Sequence, residues 1–87
     1  MTEKARSADN LVVREHHGVR TFSITWQAGR RRHRLRLGSE RECLGERAAA
    51  TAVRLILAWP APPTRESVDT VVRWVLARER ERARGQA

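Results

Sequence analysis

The sequence predicts a small α+β domain: a three-stranded antiparallel sheet in order 1-2-3, packed on a helix that follows it, with a second helix after that (β-β-β-α-α). Three observations predict this class. Apolar and polar residues alternate with period two from Leu11 to Leu37, the mark of half-buried strands. Two glycine-bearing turn signals, His17-Gly18 and Ala28-Gly29, cut that stretch into three. After Gly38 the apolar spacing changes to three and four residues, the period of a helix lying on a core. The chain has 87 residues. That is enough for one domain with a thin core, since about 60% of the unfolded chain's surface is buried at this size.

Residues 1–9 are polar and mixed in charge, and are expected to form a flexible arm rather than a signal peptide. Taking each turn signal as a two-residue loop gives the strand register by counting. In the first hairpin Leu11 faces Ile24, Val13 faces Phe22 and Arg14 faces Thr21. In the second, Thr25 faces Arg32, Ser23 faces Arg34, Phe22 faces Leu35 and Thr21 faces Arg36. Cross-strand partners share a face. One face therefore gathers Leu11, Val13, Phe22, Ile24, Trp26, Leu35 and Leu37, with His33 among them. The other gathers Arg14, Thr21, Ser23, Thr25, Arg32, Arg34 and Arg36, with Val12 its one large apolar member. A slip of one residue would scramble both sets.

Ser39, with Glu42 three residues on, reads as a capping box opening a helix over about residues 40–59. Its apolar stripe is Leu44, Ala48, Ala52, Leu55, Ile56 and Trp59. Gly45 within that helix would cost about 1 kcal/mol relative to Ala. Pro60, Pro62 and Pro63 force the stop. Thr64 can cap a second helix, with Glu66 set against the positive end of its dipole. The stripe of that helix is Val68, Val71, Val72, Val75 and Leu76. Residues 10–77 thus form the single domain, and residues 78–87, alternating in charge, form a frayed tail. No helix is left to cover the second face of the sheet.

Charge points to a partner. Lys and Arg number 18 against 10 Asp and Glu, giving a net charge of +8. Residues 29–38 hold Arg30, Arg31, Arg32, Arg34 and Arg36 and no acid, more than half of that excess. A local basic patch on a small domain is the footprint of a polyanion binder. Arg forks onto phosphate or onto the O6 and N7 acceptors of guanine, and Ser and Thr donate to phosphates or touch base edges. The expected partner is double-stranded DNA. Arg30 and Arg31 would hold the backbone, Arg32, Arg34 and Arg36 would read bases, and Arg14, Thr21, Ser23 and Thr25 would complete the surface. Single-stranded RNA fits less well, because Phe22 and Trp26 face the core and leave no aromatic to stack bases.

The stretches Gly18-Val19-Arg20 to Trp26, Gly29–Arg36, Leu37-Gly38-Ser39 and Glu40-Arg41-Glu42-Cys43 carry a resemblance. Over about residues 10–58 the chain resembles the arm-DNA-binding domain of phage-type tyrosine recombinases and its relative, the plant apetala-type domain. The resemblance implies three antiparallel strands on one helix, with the exposed sheet face in the major groove. It implies that same placement for Arg14, Thr21, Ser23, Thr25, Arg32, Arg34 and Arg36. The chain departs from the pattern at Cys43, where those families favour Ala, and in lacking their early helical aromatic. A second helix follows in place of a catalytic domain, so the implied role is a free-standing accessory or regulatory factor of a phage or mobile element.

No Ser/His/Asp set, phosphate-cradling loop or carboxylate pair can be argued, and a chain this short has little room for a buried active site. No enzymatic activity, cofactor or small-molecule substrate is expected. His16 and His17 are adjacent and point apart, and with the distant His33 they lack the spacing of metal ligands. Cys43, the single cysteine, reads as a small buried hydrophobe. No stretch reaches the roughly 20 apolar residues of a membrane span, so no membrane contact is expected. The expected location is cytoplasmic, nucleoid-associated if the chain binds DNA. The alternative is a protein-binding module or phage effector that inhibits a host protein through the second helix. Val71, Trp74 and Val75 would form its contact, and a homodimer would use the same helix.

Overall fold

A computed structural model of the chain describes the backbone of residues 4–8 and the whole of residues 10–85. The elements are β1 (Lys4–Ala8), β2 (Leu11–His16), β3 (Val19–Ala28), β4 (Arg31–Ser39), a 3₁₀ turn (Glu40–Glu42), α1 (Glu46–Ala58) and α2 (Arg65–Gly85). The three predicted strands stand antiparallel in the predicted order and two helices follow, so the α+β class holds. One strand is added at the edge, and the sheet order is β1-β2-β3-β4.

The first hairpin has the counted register throughout, from Leu11 opposite Ile24 to His16 opposite Val19. His17 and Gly18 both take positive φ, 51° and 77°, as a loop matching the right-handed strand twist requires. The second hairpin differs. Its loop is Gly29-Arg30 rather than Ala28-Gly29, so Ala28 pairs with Arg31 and Thr25 with Arg34. Gly29, at φ 65°, takes the left-handed position that Ala28 would occupy only under strain. This moves the β4 pairing by two residues, an even number, and each side chain keeps its face. A bulge then intervenes: Ser23 pairs with Arg36 but Phe22 with Gly38, leaving Leu37 as the extra residue.

Two predicted boundaries need correction. The sequence predicts a flexible arm over residues 1–9, but Lys4–Ala8 pair antiparallel with Ala8 opposite Leu11 and Lys4 opposite Glu15. Strand addition satisfies the backbone groups of the outer edge of β2 and needs no apolar pattern, so composition carries no sign of it. Residues 1–3 and 9 of that predicted arm lie outside the described residues. At the other end, Arg78–Gly85 continue α2 instead of fraying. Arg, Glu and Ala are good helix formers, and Arg82 reaches Glu79 at 3.4 Å one turn back. Residues 86–87 of the predicted tail lie outside the described residues.

The first helix also begins later than predicted. Glu42 does reach back to the Ser39 N–H, at 2.9 Å, but this closes only the 3₁₀ turn. Cys43 then takes φ 68° and is exposed, against the expectation of a buried side chain. Leu44 drops into the core at 1% exposure, and Gly45 is the N-cap of α1 rather than an interior residue. Gly38 makes room for this plug: a Cβ there would meet Leu44 Cδ2 at 3.1 Å. Thr64 caps α2 as predicted, its Oγ1 accepting from the Ser67 N–H at 3.1 Å while its own N–H donates to Ser67 Oγ at 2.9 Å.

Both helices lie on one face of the sheet, α1 over β2 and β3 and α2 over β4. The core joins Leu11, Val13, Phe22, Ile24 and Leu37 to Ala48, Ala49, Ala52, Val53 and Ile56 of α1 and to Val68, Val72 and Val75 of α2. Because α1 touches both the sheet and α2, its buried face is broader than the predicted stripe and turned from it. Ala49 and Val53 are enclosed, while Leu55 and Trp59 are 39% and 69% exposed. No helix among the described residues is long and apolar enough to cross a membrane. Replacing Leu44 with Ala should cost about 2–5 kcal/mol in urea unfolding, whereas Trp59→Ala should stay within about 0.5 kcal/mol. Equal costs would contradict Leu44 as the plug of the core.

Candidate nucleic-acid interface

β2 pairs with β3 only as far as Ile24. One further bond pair extends the joint, Asn10 O accepting from the Thr25 N–H and Asn10 Nδ2 donating to Thr25 O, each at 2.8 Å. Beyond that point β3 and β4 continue alone as a two-stranded ribbon, paired from Trp26–His33 to Ala28–Arg31. On its helix-side face the His33 ring stacks on Trp26, centroids 5.3 Å apart and planes 18° from parallel. Trp26 packs against the edge of the core, so this stack joins the ribbon to the body.

The nine residues predicted to face a polyanion fall into two groups. Arg30 in the loop, Arg31 at its exit, and Arg32 and Arg34 along β4 are all exposed and come together at the ribbon end. They make no ion pair among the described residues. Arg32 and Arg34 pair with Gln27 and Thr25 on the face away from the helices, while Arg31 pairs with Ala28 on the other. The rest sit nearer the body. Arg14, Thr21 and Ser23 are half-buried on the open face. Thr25 is 5% exposed, against its predicted role as a contact: Asn10 closes its backbone and Arg32 Nη2 lies 3.5 Å from its Oγ1. A short side chain on a sheet is easily covered by a long neighbour on the same face.

Arg36 is drawn away from the group by an acid that the counted register placed nowhere near it. Its Nη2 donates to Glu42 Oε1 at 2.6 Å. The Arg36 carbonyl also accepts from Arg65, which holds Asp69 at 2.7 Å one helical turn on. A second anchor links β3 to the helix layer. Arg20 reaches Glu40 at 3.1 Å and Glu46 at 3.2 Å, and its backbone N–H donates to Glu40 at 2.8 Å. These arginines fasten the 3₁₀ turn to the sheet, and α2 to β4.

The predicted helical contact also divides. Val75 is 3% exposed and belongs to the core, so it is not available to a partner. Val71 is half-buried, and Trp74 stands 52% exposed with the Arg78 guanidinium 5.0 Å above its ring. Sequence reasoning missed the surroundings of Trp74, where Arg47 and Arg54 of α1 and Arg78 and Arg82 of α2 line one cleft. These residues are far apart in sequence and meet only because the helices run back to back. Among the described residues no group of three His, Cys, Asp or Glu is placed to hold a metal ion.

The anchors set a pH dependence. The hydrogen bond from Arg20 holds the Glu40 carboxyl below its ordinary pKa, and that from Arg36 does the same for Glu42. A depressed carboxylate pKa contributes stability above its unfolded value that is lost as pH falls through the folded one. The melting temperature should therefore fall on acidification through and below the ordinary carboxylate range. That loss should be smaller in Glu40→Gln and Glu42→Gln, measured as melting temperature against pH; identical acid limbs in all three proteins would contradict it.

Comparison with known proteins adds no relative: no family model, no curated protein and no solved structure matches the chain.

Proposed function

We propose that the chain binds double-stranded DNA by seating the β3–β4 ribbon in the major groove. The observation that carries this reading is the joint exposure of Arg30, Arg31, Arg32 and Arg34 at the end of a projecting two-stranded ribbon. Strands lie about 4.8 Å apart, so a pair with its side chains fits a groove about 12 Å wide, where a whole four-stranded sheet would not lie flat. Arg32 and Arg34 share the face turned from the helices and would meet base edges or the near phosphates. Arg30 and Arg31 at the tip would hold phosphates. Arg14, Thr21 and Ser23 line the approach from the body, and Arg36 contributes less because Glu42 takes its charge.

The reading is of a binding protein and not of an enzyme, acting in the cytoplasm and on the nucleoid. An accessory or regulatory role in a phage or mobile element rests on the resemblance to recombinase arm-binding domains alone.

Fluorescence anisotropy with a labelled random duplex tests the proposal. Affinity should fall by about 10²-fold over a fourfold rise in salt, as expected for about four neutralised phosphates. Arg32→Ala and Arg34→Ala should each weaken binding by about 1–3 kcal/mol if they touch bases. Arg80→Ala, on the exposed end of α2, should change it little. Equal losses at the three positions would reduce the effect to net charge and overturn the ribbon as the contact.

A further inference from the structure

We propose that the outer cleft between α1 and α2 docks an acidic amphipathic segment of a partner protein. The cleft lies on the helix layer, separate from the arginine ribbon, and does not depend on the DNA reading. It has two halves. Near the turn joining the helices it is mostly apolar, lined by Leu55, Trp59, Pro63 and Val71, with Glu66 the one acid in that half, where the partner's apolar side chains rather than its carboxylates would sit. Toward the other end it is basic, lined by Arg47, Arg54, Arg78 and Arg82 around Trp74. Leu55 lines both halves, so they run into one another. Leu55, Trp59 and Trp74 are three of the four large apolar side chains left exposed among the described residues. The one acid lining the basic half is Glu79, and Arg82 already holds it at 3.4 Å.

Charge complementarity selects the occupant. A nucleic acid backbone would use the arginines but gain nothing from Leu55, Trp59 and Pro63. A second copy docked two-fold on the same patch would bring arginine against arginine in a chain of net charge +8. A helical segment with an apolar face and carboxylates on its flank uses both halves. Its apolar side chains would enter beside Leu55 and Trp59, and its carboxylates would pair with Arg54, Arg78 and Arg47. Trp74, held by the Arg78 guanidinium at 5.0 Å, offers the rigid aromatic surface on which such interfaces concentrate their affinity.

The test uses the full chain and three fluorescein-labelled peptides of about fifteen residues. The first carries Leu along one helical face with Glu on the flanks, the second replaces Glu by Lys, and the third replaces Leu by Ala. The first should bind at micromolar concentration, and the other two about tenfold or more weaker. Trp74→Ala and Arg54→Glu alter exposed side chains, so both should keep the wild-type melting temperature. Each should weaken the first peptide about tenfold, while Arg32→Ala and Arg34→Ala leave it unchanged. Failure of the first peptide to bind, equal binding of the Glu and Lys peptides, or indifference to both cleft variants overturns the proposal. So does a loss of duplex DNA binding in Arg54→Glu as large as the loss of peptide, which would give the cleft to nucleic acid. A concentration-dependent mass abolished by Trp74→Ala would give it to a second copy and equally overturns the proposal.

Discussion

Burial of a single sheet face against two helices is the constraint on which the rest of this molecule depends. Phe22, Ile24 and Val68 are fully enclosed in that layer and Leu44 nearly so. A chain of this length can build one such layer and not two. The face that remains must be polar, and on this protein it is largely arginine, serine and threonine. The same constraint leaves the outer side of the helix pair uncovered, so the molecule presents two unlike surfaces on opposite sides of one core.

The arginines divide according to what surrounds them. Arg20, Arg36 and Arg65 are engaged with carboxylates or with backbone oxygen: Arg20 and Arg36 tie the 3₁₀ turn to the sheet, and Arg65 adds a polar link between α2 and β4 to their shared core. Those pairs are exposed, so each contributes modestly to stability. Their effect is on position: they hold the 3₁₀ turn against β3 and β4, and with it the depth of Leu44. Arg30, Arg31, Arg32 and Arg34 form no ion pair with an acid among the described residues, and the ribbon that carries them runs on past the last pairing of β2. Their mutual repulsion is relieved by water in the free chain and would be relieved by phosphate in a complex. The two surfaces are thus built from one residue type in two settings.

Much of the fold was legible because strand pairing has period two and short loops leave little freedom. The first hairpin could be counted residue by residue. The second was displaced by the choice of loop residues, yet its faces survived because the displacement was even. The bulge at Leu37 was not legible, since an alternating pattern carries no mark of an inserted residue until its partner strand is known. The same holds for Thr25. Its polar character placed it on the open face, but its concealment depends on Asn10 and Arg32, which only pairing brings together.

By itself the sequence determined the class of the fold, the apolar face of the sheet, the stops at the prolines, the cap at Thr64 and the basic run from Arg30 to Arg36. All of these depend on neighbours a few residues apart, and local periodicity reports such relations directly. Tertiary structure alone decided the rest. It added β1 through backbone bonds that no side-chain pattern encodes, and it broke the first helix at Cys43 so that Leu44 could fill the core beneath Gly38. It also turned Arg36 toward Glu42 and set Arg47 and Arg54 opposite Arg78 and Arg82. Each of these outcomes is a contact between segments distant along the chain, and its energy exists only once the sheet and the helix pair have closed on their common core.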